Sequence, residues 1–147
     1  MVTHWHEFQD TGYAPIDGDH REIAASQSRL LEFVNSARVV SAVMEFDGLL
    51  DRYRAHFAHE ERLMVETGYE QAARHKEAHD LFLADSARMF VDLKKHGLSP
   101  QVRRWITGRL LEWFRFHIAA NDVGLGRFLL ARERKAEWDR VCGDPGS

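Results

Sequence analysis

His56 and Glu60 lie four residues apart, His75 and His79 lie four apart, and His20, His117 and Asp122 stand singly along a 147-residue chain. Two side chains four apart share a helix face, where an imidazole and a carboxylate, or two imidazoles, can clasp one cation. One histidine–acid pair is weak evidence, since a chain with nine histidines and 23 acidic residues offers such pairs by chance. The run His75-Lys76-Glu77-Ala78-His79 is stronger, because two imidazoles on one inward face form a bidentate chelate. Burying five imidazoles and a carboxylate is costly unless each is hydrogen-bonded or bound to a cation.

The elements that must position them are helices. His20 extends the apolar stripe of Ile23, Leu31 and Val34, and His56 and Glu60 fall on the stripe of Leu49, Tyr53 and Leu63. His75 and His79 share a face with Phe82, Met89 and Leu93, and His117 continues Val102, Ile106, Leu110 and Trp113. The first helix is expected from Asp17–Asp19, both acceptable N-caps, to about Ala37, and the second over about 41–66 with Gly68 beyond its end. The third is expected from about 70 to His96. Ser99-Pro100 then opens the fourth with an N-cap and a proline in the first turn. A short terminal helix is expected over about 127–138. No segment shows the period-two alternation of a strand. These signals predict an all-α, antiparallel up-down-up-down four-helix bundle with an N-terminal arm (1–17), a bundle domain (18–138) and a flexible tail (139–147). Trp5, Phe8 and Tyr13 of the arm are available to cover a core.

In such a bundle the starts of the first and third helices lie beside the ends of the second and fourth, so the histidines converge at one end. Asp122 is the exception. Five residues of α-helix turn about 500°, which leaves it about 140° off the face of His117. It reaches the others only where the helix loosens or tilts, and Gly124 and Gly126 mark a place for that.

Five histidines and two carboxylates exceed the four ligands of a structural zinc site and suit two octahedral ions bridged by carboxylates. Two ferrous ions, two carboxylates and one hydroxide would sum to a single net charge, small enough to bury. Ligand type alone allows iron, manganese or zinc.

Composition sets the remaining bounds. The chain is 44% hydrophobic and 29% charged, ordinary for a globular protein, with a net charge of −3 and no basic block. Nucleic acid and anionic membranes are therefore not expected partners. No stretch approaches the ~20 apolar residues of a membrane span. Met1–Glu7 has no apolar run behind a positive one, and a cytoplasmic location is expected. Cys142 is a lone thiol. His4, His6, His59 and His96 fall off the inward faces and read as solvent-exposed.

The segments Ile16-Asp17-Gly18-Asp19-His20, His56-Phe57-Ala58-His59-Glu60-Glu61, Gly68-Tyr69 with His75-x3-His79, and Trp113-x3-His117-Ile118-x3-Asp122 together resemble the hemerythrin pattern over about residues 5–130. The resemblance implies that His75, His79 and His117 hold one iron and His20 and His56 a second. Glu60, Asp122 and an oxo or hydroxo group would bridge the two ions. It implies an open position for dioxygen on the two-histidine iron, under a pocket of Ile23, Phe57, Phe82, Phe114 and Ile118. The chain departs from the family in having Asp19 where glutamine is frequent and Phe114 where leucine is usual. The function so implied is reversible oxygen binding for storage, delivery (oxygen transport) or sensing, rather than catalysis. The alternatives are a di-iron enzyme that reduces peroxide or nitric oxide or oxidises a substrate, and an iron-storage or signalling module. A dry pocket without a general acid or base favours oxygen binding.

Overall fold

In the computed structural model, residues 10–143 are described, and all regular structure among them is helical. Helix α1 spans Ala14–Asn35, α2 Val39–Thr67 and α3 Ala72–His96. The fourth rod is continuous but not uniform. It runs as α4 (Pro100–Arg104), a π turn (Trp105–Arg109), α5 (Leu110–His117), a second π turn (Ile118–Asp122) and α6 (Val123–Cys142). Short turns join neighbouring rods, so the architecture is the expected all-α bundle.

The turns follow local chemistry. Gly68 adopts a left-handed conformation (φ 66°, ψ 37°), and the amides of Gly68 and Tyr69 return to the carbonyls of Val65 and Met64, closing the end of α2. The Ser99 side chain accepts from the amide of Val102 at 3.2 Å, and Pro100 opens α4 where an amide would have no partner.

Two helix limits differ from the sequence reading. Helix α1 begins at Ala14, ahead of Asp17–Asp19, because Pro15 supplies a preset first turn and neither aspartate caps the helix. Asp17 instead reaches back and accepts from the amide and hydroxyl of Thr11, at 2.9 and 2.8 Å, and from the amide of Gly12 at 3.1 Å. Asp19 lies inside the helix. At the other end, the terminal helix starts at Val123 and runs to Cys142, so Asp139–Cys142 are helical rather than a loose tail. A Lys135–Asp139 pair at 3.0 Å spans those exposed turns. Trp5 and Phe8, with residues 144–147, fall outside the described residues.

Gly124 and Gly126 do not break the helix; they give clearance. A Cβ on Gly124 would stand 3.3 Å from the Tyr69 hydroxyl, and one on Gly126 only 2.6 Å from Cβ of Thr11. Thus the strand of chain around Thr11 lies directly on α6.

The main core runs down the bundle axis, with Leu30, Val34, Phe46, Leu49, Tyr53, Leu93, Val102 and Phe114 all fully buried. Each such aliphatic or aromatic side chain stabilises the fold by ~1.5–3 kcal/mol through burial. A second apolar group, Ile16, Met64, Leu125 and Leu129, packs at the site end, with Tyr13 partly buried against it. The polar cluster therefore sits between two apolar plugs. No helix among the described residues is long and apolar enough to cross a membrane.

Candidate metal centre

All seven residues singled out by the sequence are buried, none more than 2% exposed. Their positions near helix ends bring them into one layer: His20 from α1, His56 and Glu60 from α2, His75 and His79 from α3, His117 from α5 and Asp122 from the second π turn. They form two groups of converging ligand atoms. Glu60, His75, His79, His117 and Asp122 make one, and His20, His56 and Asp122 make the other, with the atoms of each group within 4.8 Å of one another. Asp122 belongs to both. Its Oδ2 lies 2.8 Å from Nε2 of His20, and its Oδ1 lies 2.9 Å from Nε2 of His75. Glu60 also touches both groups, with Oε1 3.2 Å from Nε2 of His56 and 3.3 Å from Nε2 of His79.

The π turn explains how Asp122 arrives. The amide of Val123 bonds back to the carbonyl of Ile118, five residues earlier, which widens this turn by one residue. Asp122 then follows His117 by about one turn, and its Oδ1 comes within 3.2 Å of His117 Nε2. The helix does loosen here, through its hydrogen bonding and not through its glycines.

Only part of this set pairs as ordinary hydrogen bonds, His20 with Asp122 Oδ2 among them. Nδ1 of His56 is held by Asp19 at 2.9 Å and Nδ1 of His79 by Glu61 at 2.9 Å. Each Nδ1–H donates outward to a carboxylate, which turns Nε2 inward toward the Glu60 oxygens. Neither oxygen of Glu60 accepts a hydrogen bond of good geometry, nor do Oδ1 of Asp122 and Nε2 of His56 find one. Close approach without bonding is the signature of acceptors arranged around a common cation. Nε2 of His117 lies 3.1 Å from Nε2 of both His75 and His79, and a single ring nitrogen has one proton or one lone pair to share between them. Ligands at right angles on a metal, with bonds of ~2.1 Å, stand ~3 Å apart. The donor set fits cations.

The electrostatics agree. Burial opposes a charge on His56, but the Glu60 charge and the Asp19 hydrogen bond outweigh it and push its pKa up to about 10. For His75, burial is likewise overcome by the Asp122 hydrogen bond and the Glu60 charge, and its pKa is raised. For Glu60 and Asp122, burial and, at Glu60, the Asp122 charge act upward; the surrounding histidines win and hold both carboxyls below their usual range. Burial dominates at His117, which is lowered. Without a metal, a proton on His56 supplies part of the positive charge that the carboxylates demand.

The apolar residues expected to line a pocket are all core residues, divided between the two groups. Phe114 meets the His20 ring edge-on at 5.4 Å, while Phe57 stacks on His79 at 3.9 Å. Phe82 stacks on Trp113 at 3.8 Å, and Trp113 in turn stacks on His117 at 4.5 Å. Ile23 and Ile118 are 1% and 0% exposed in the same core.

Sequence reasoning missed the outer supports. Asp19 reads as a cap and Glu61 has no assigned role in the sequence, yet both orient imidazoles. The amide of Asn121 lies 3.2 Å from Nδ1 of His117, and its oxygen can accept that proton once turned toward the ring. Their signal was adjacency, since Asp19 precedes His20 and Glu61 follows Glu60. His59 is half-buried, with Nδ1 3.2 Å from Asp19. His96 is exposed, and His4 and His6 lie outside the described residues.

A helical bundle that buries histidines and carboxylates around common cation positions defines a metal-binding domain. The pattern described as the hemerythrin HHE cation binding domain matches residues 11–129, and the chain belongs to the hemerythrin family. It is 30% identical over 121 residues to a bacteriohemerythrin of Pseudomonas paraeruginosa, covering 82% of this chain and 76% of that protein. A bacteriohemerythrin of Pseudomonas aeruginosa is 28% identical over 120 residues, with the same coverage. That of Stenotrophomonas maltophilia is 28% identical over 126 residues, covering 80% of this chain and 75% of its own length. No solved structure matches the chain.

Proposed function

We propose that this protein is a non-haem di-iron oxygen-binding protein that takes up dioxygen reversibly for storage, delivery or sensing. The observation that carries the reading is the pair of ligand groups sharing Asp122, with Glu60 reaching both. One iron would be held by His75, His79 and His117 and the other by His20 and His56. Glu60, Asp122 and an oxo or hydroxo group would bridge them. The two irons would supply the electrons that dioxygen accepts on binding.

This chain's own residues do the rest. Asp19 and Glu61 hold the rings of His56 and His79 with Nδ1 protonated, which turns Nε2 inward and raises its basicity. The group with His20 and His56 has one histidine fewer, so a metal held there would have a position to offer an exogenous ligand. Phe114 seals that side, and with Ile23 and Ile118 it offers neither acid nor base to a bound guest. A dry, aprotic wall suits binding and release better than turnover. The bacteriohemerythrin relatives support this choice over a di-iron enzyme.

The deciding experiment is the optical spectrum of anaerobically reduced protein before oxygen, after oxygen and after oxygen removal. A visible band that appears with oxygen and disappears on its removal is the expected result. Oxidation in one exposure, followed by steady consumption of peroxide, would establish the enzyme instead.

A further inference from the structure

Below the metal layer, the ring contacts fix the register of the bundle. Phe57 stacks on His79, Tyr53 meets Phe82 edge-on at 4.9 Å, and Phe46 meets Phe90 at 5.3 Å. Antiparallel α2 and α3 therefore place Ser86 level with Leu49 and Leu50, between the Tyr53–Phe82 and Phe46–Phe90 layers. On α1, His20 contacts His56 at 4.8 Å, which brings Gln27 to the same level two turns down. Gln27 donates from Nε2 to the Tyr53 hydroxyl, so that hydroxyl also reaches this level.

Three polar side chains thus share one level of an apolar core, 2%, 0% and 0% exposed for Gln27, Tyr53 and Ser86. Oε1 of Gln27 and Oγ of Ser86 bond to no protein atom. Because the Tyr53 oxygen accepts from Gln27, its own O–H is left to donate elsewhere. Burial holds that proton in place, raising the phenol pKa well above its ordinary value. One acceptor, one donor and one hydroxyl that can do either are the complement of a water molecule, which takes two to four such partners. Ser86 is also small at a stripe position that carries Phe82 and Leu93 on either side.

We propose that Gln27, Tyr53 and Ser86 form an internal water site in the bundle core, one ring layer beneath the apolar pocket. Gln27 Oε1 accepts from the water, Tyr53 donates to it, and Ser86 completes its coordination. None of its three residues is a candidate ligand, and only Tyr53 packs against the apolar pocket, through Phe57, Phe82 and Phe114.

The test is a double-mutant cycle of Ser86→Ala and Gln27→Leu, read by thermal unfolding of metal-free and metal-loaded protein. If Ser86 binds the water, Ser86→Ala lowers the melting midpoint by about 3 °C, despite the better helix propensity of alanine. The double variant then loses less than the sum of the singles, since both remove the same water. A hydroxyl bonded to nothing gives the opposite sign: its removal relieves a desolvated group and raises the midpoint. That rise, or strictly additive losses, would overturn the proposal. Should a variant not fold, the crystal structure of the unaltered protein decides. Density for a water within ~3 Å of both Ser86 Oγ and Gln27 Oε1 is expected, and a dry layer there ends the idea.

Discussion

Asp122 stands 3.2 Å from His117, five residues earlier on the same rod, only because the intervening turn is π and not α. This one carboxylate is common to both ligand groups, whereas each histidine belongs to a single group. Removing it should therefore differ in kind from removing a histidine. Asp122→Asn is expected to empty both positions, while His20→Ala empties only one. Iron per chain, by elemental analysis against a protein assay, should fall from two toward zero in the first variant and toward one in the second. An Asp122→Asn protein that keeps two irons would show that the carboxylate is not shared.

The outer carboxylates give a graded prediction. Asp19→Asn and Glu61→Gln keep shape but remove the charge that fixes His56 and His79. Changes of this kind cost ~10–100-fold in metal affinity. Competition with a chelator should show that loss while the far-ultraviolet helical signal stays unchanged. Equal affinity in all three proteins would reduce Asp19 and Glu61 to surface charges.

Much of this arrangement was legible in the sequence, for a physical reason. His20, Glu60, His75, His79 and His117 occupy positions that the 3.6-residue period reserves for apolar side chains, and a polar residue on a buried stripe demands an explanation. The grouping at one end of the bundle then follows from helix direction alone. Asp122 broke the pattern because a π turn carries no compositional mark: Ile118-Ala119-Ala120-Asn121 reads as ordinary helix. Asp17 and Asp19 misled for a different reason. Aspartate near a helix start suits an N-cap, but Pro15 starts the helix earlier and frees one carboxylate for Thr11 and the other for His56. Partner choice among polar groups depends on tertiary contact, which no local spacing encodes.

The clearance at Gly126 predicts a stability effect remote from the metal. An added Cβ would meet Thr11 Cβ at 2.6 Å and its carbonyl oxygen at 3.0 Å, so the chain there must shift. Overpacking of this kind costs ~1–3 kcal/mol, and the shift also strains the Thr11–Asp17 hydrogen bonds. Gly126→Ala should lower the unfolding midpoint in denaturant, and Gly124→Ala, facing only the movable Tyr69 hydroxyl, should lower it less. The reverse order would mean that Thr11 does not lie on α6 in solution.

Acid and base should act oppositely on the metal-free and metal-loaded forms. His56 has its folded pKa raised to about 10, above an unfolded value of ~6.5. Its contribution to the metal-free fold is complete below ~6.5 and is lost as pH rises toward about 10. Glu60 and Asp122 are lowered, so their contributions exist above the usual carboxylate range and fade as pH falls through it. The metal-free protein thus loses the His56 contribution as pH rises above neutrality, while His117, held low by burial, destabilises it as pH falls below the usual histidine range. Metal ligation needs His56 without its Nε2 proton, so the loaded form gains as that proton becomes easier to displace. The difference in melting temperature between loaded and metal-free protein should widen from pH 6 to pH 9. Loading at pH 8, where a free histidine is already neutral, should still release a proton from His56 into a weakly buffered solution. A temperature gap independent of pH, with no proton released, would contradict ligation by His56.

Phe114 offers the prediction that reads function most directly. It is fully buried, edge-on to His20 and 5.8 Å from the ring of Tyr53, so it stands between the metal layer and the core below. Phe114→Ala removes a whole ring; the cavity costs ~3–5 kcal/mol of stability, yet it touches no candidate ligand atom by substitution. Iron content should stay at two per chain in protein that remains folded. Oxygen should arrive faster, because the ring no longer narrows its path. Water should also reach the site more easily, and the oxygenated form should decay faster to the oxidised, inactive one. Stopped-flow absorbance measures the first rate, and the loss of the visible band over hours at fixed temperature measures the second. If neither rate changes while stability falls as expected, Phe114 is core packing, and the path of oxygen to the metal lies along another wall.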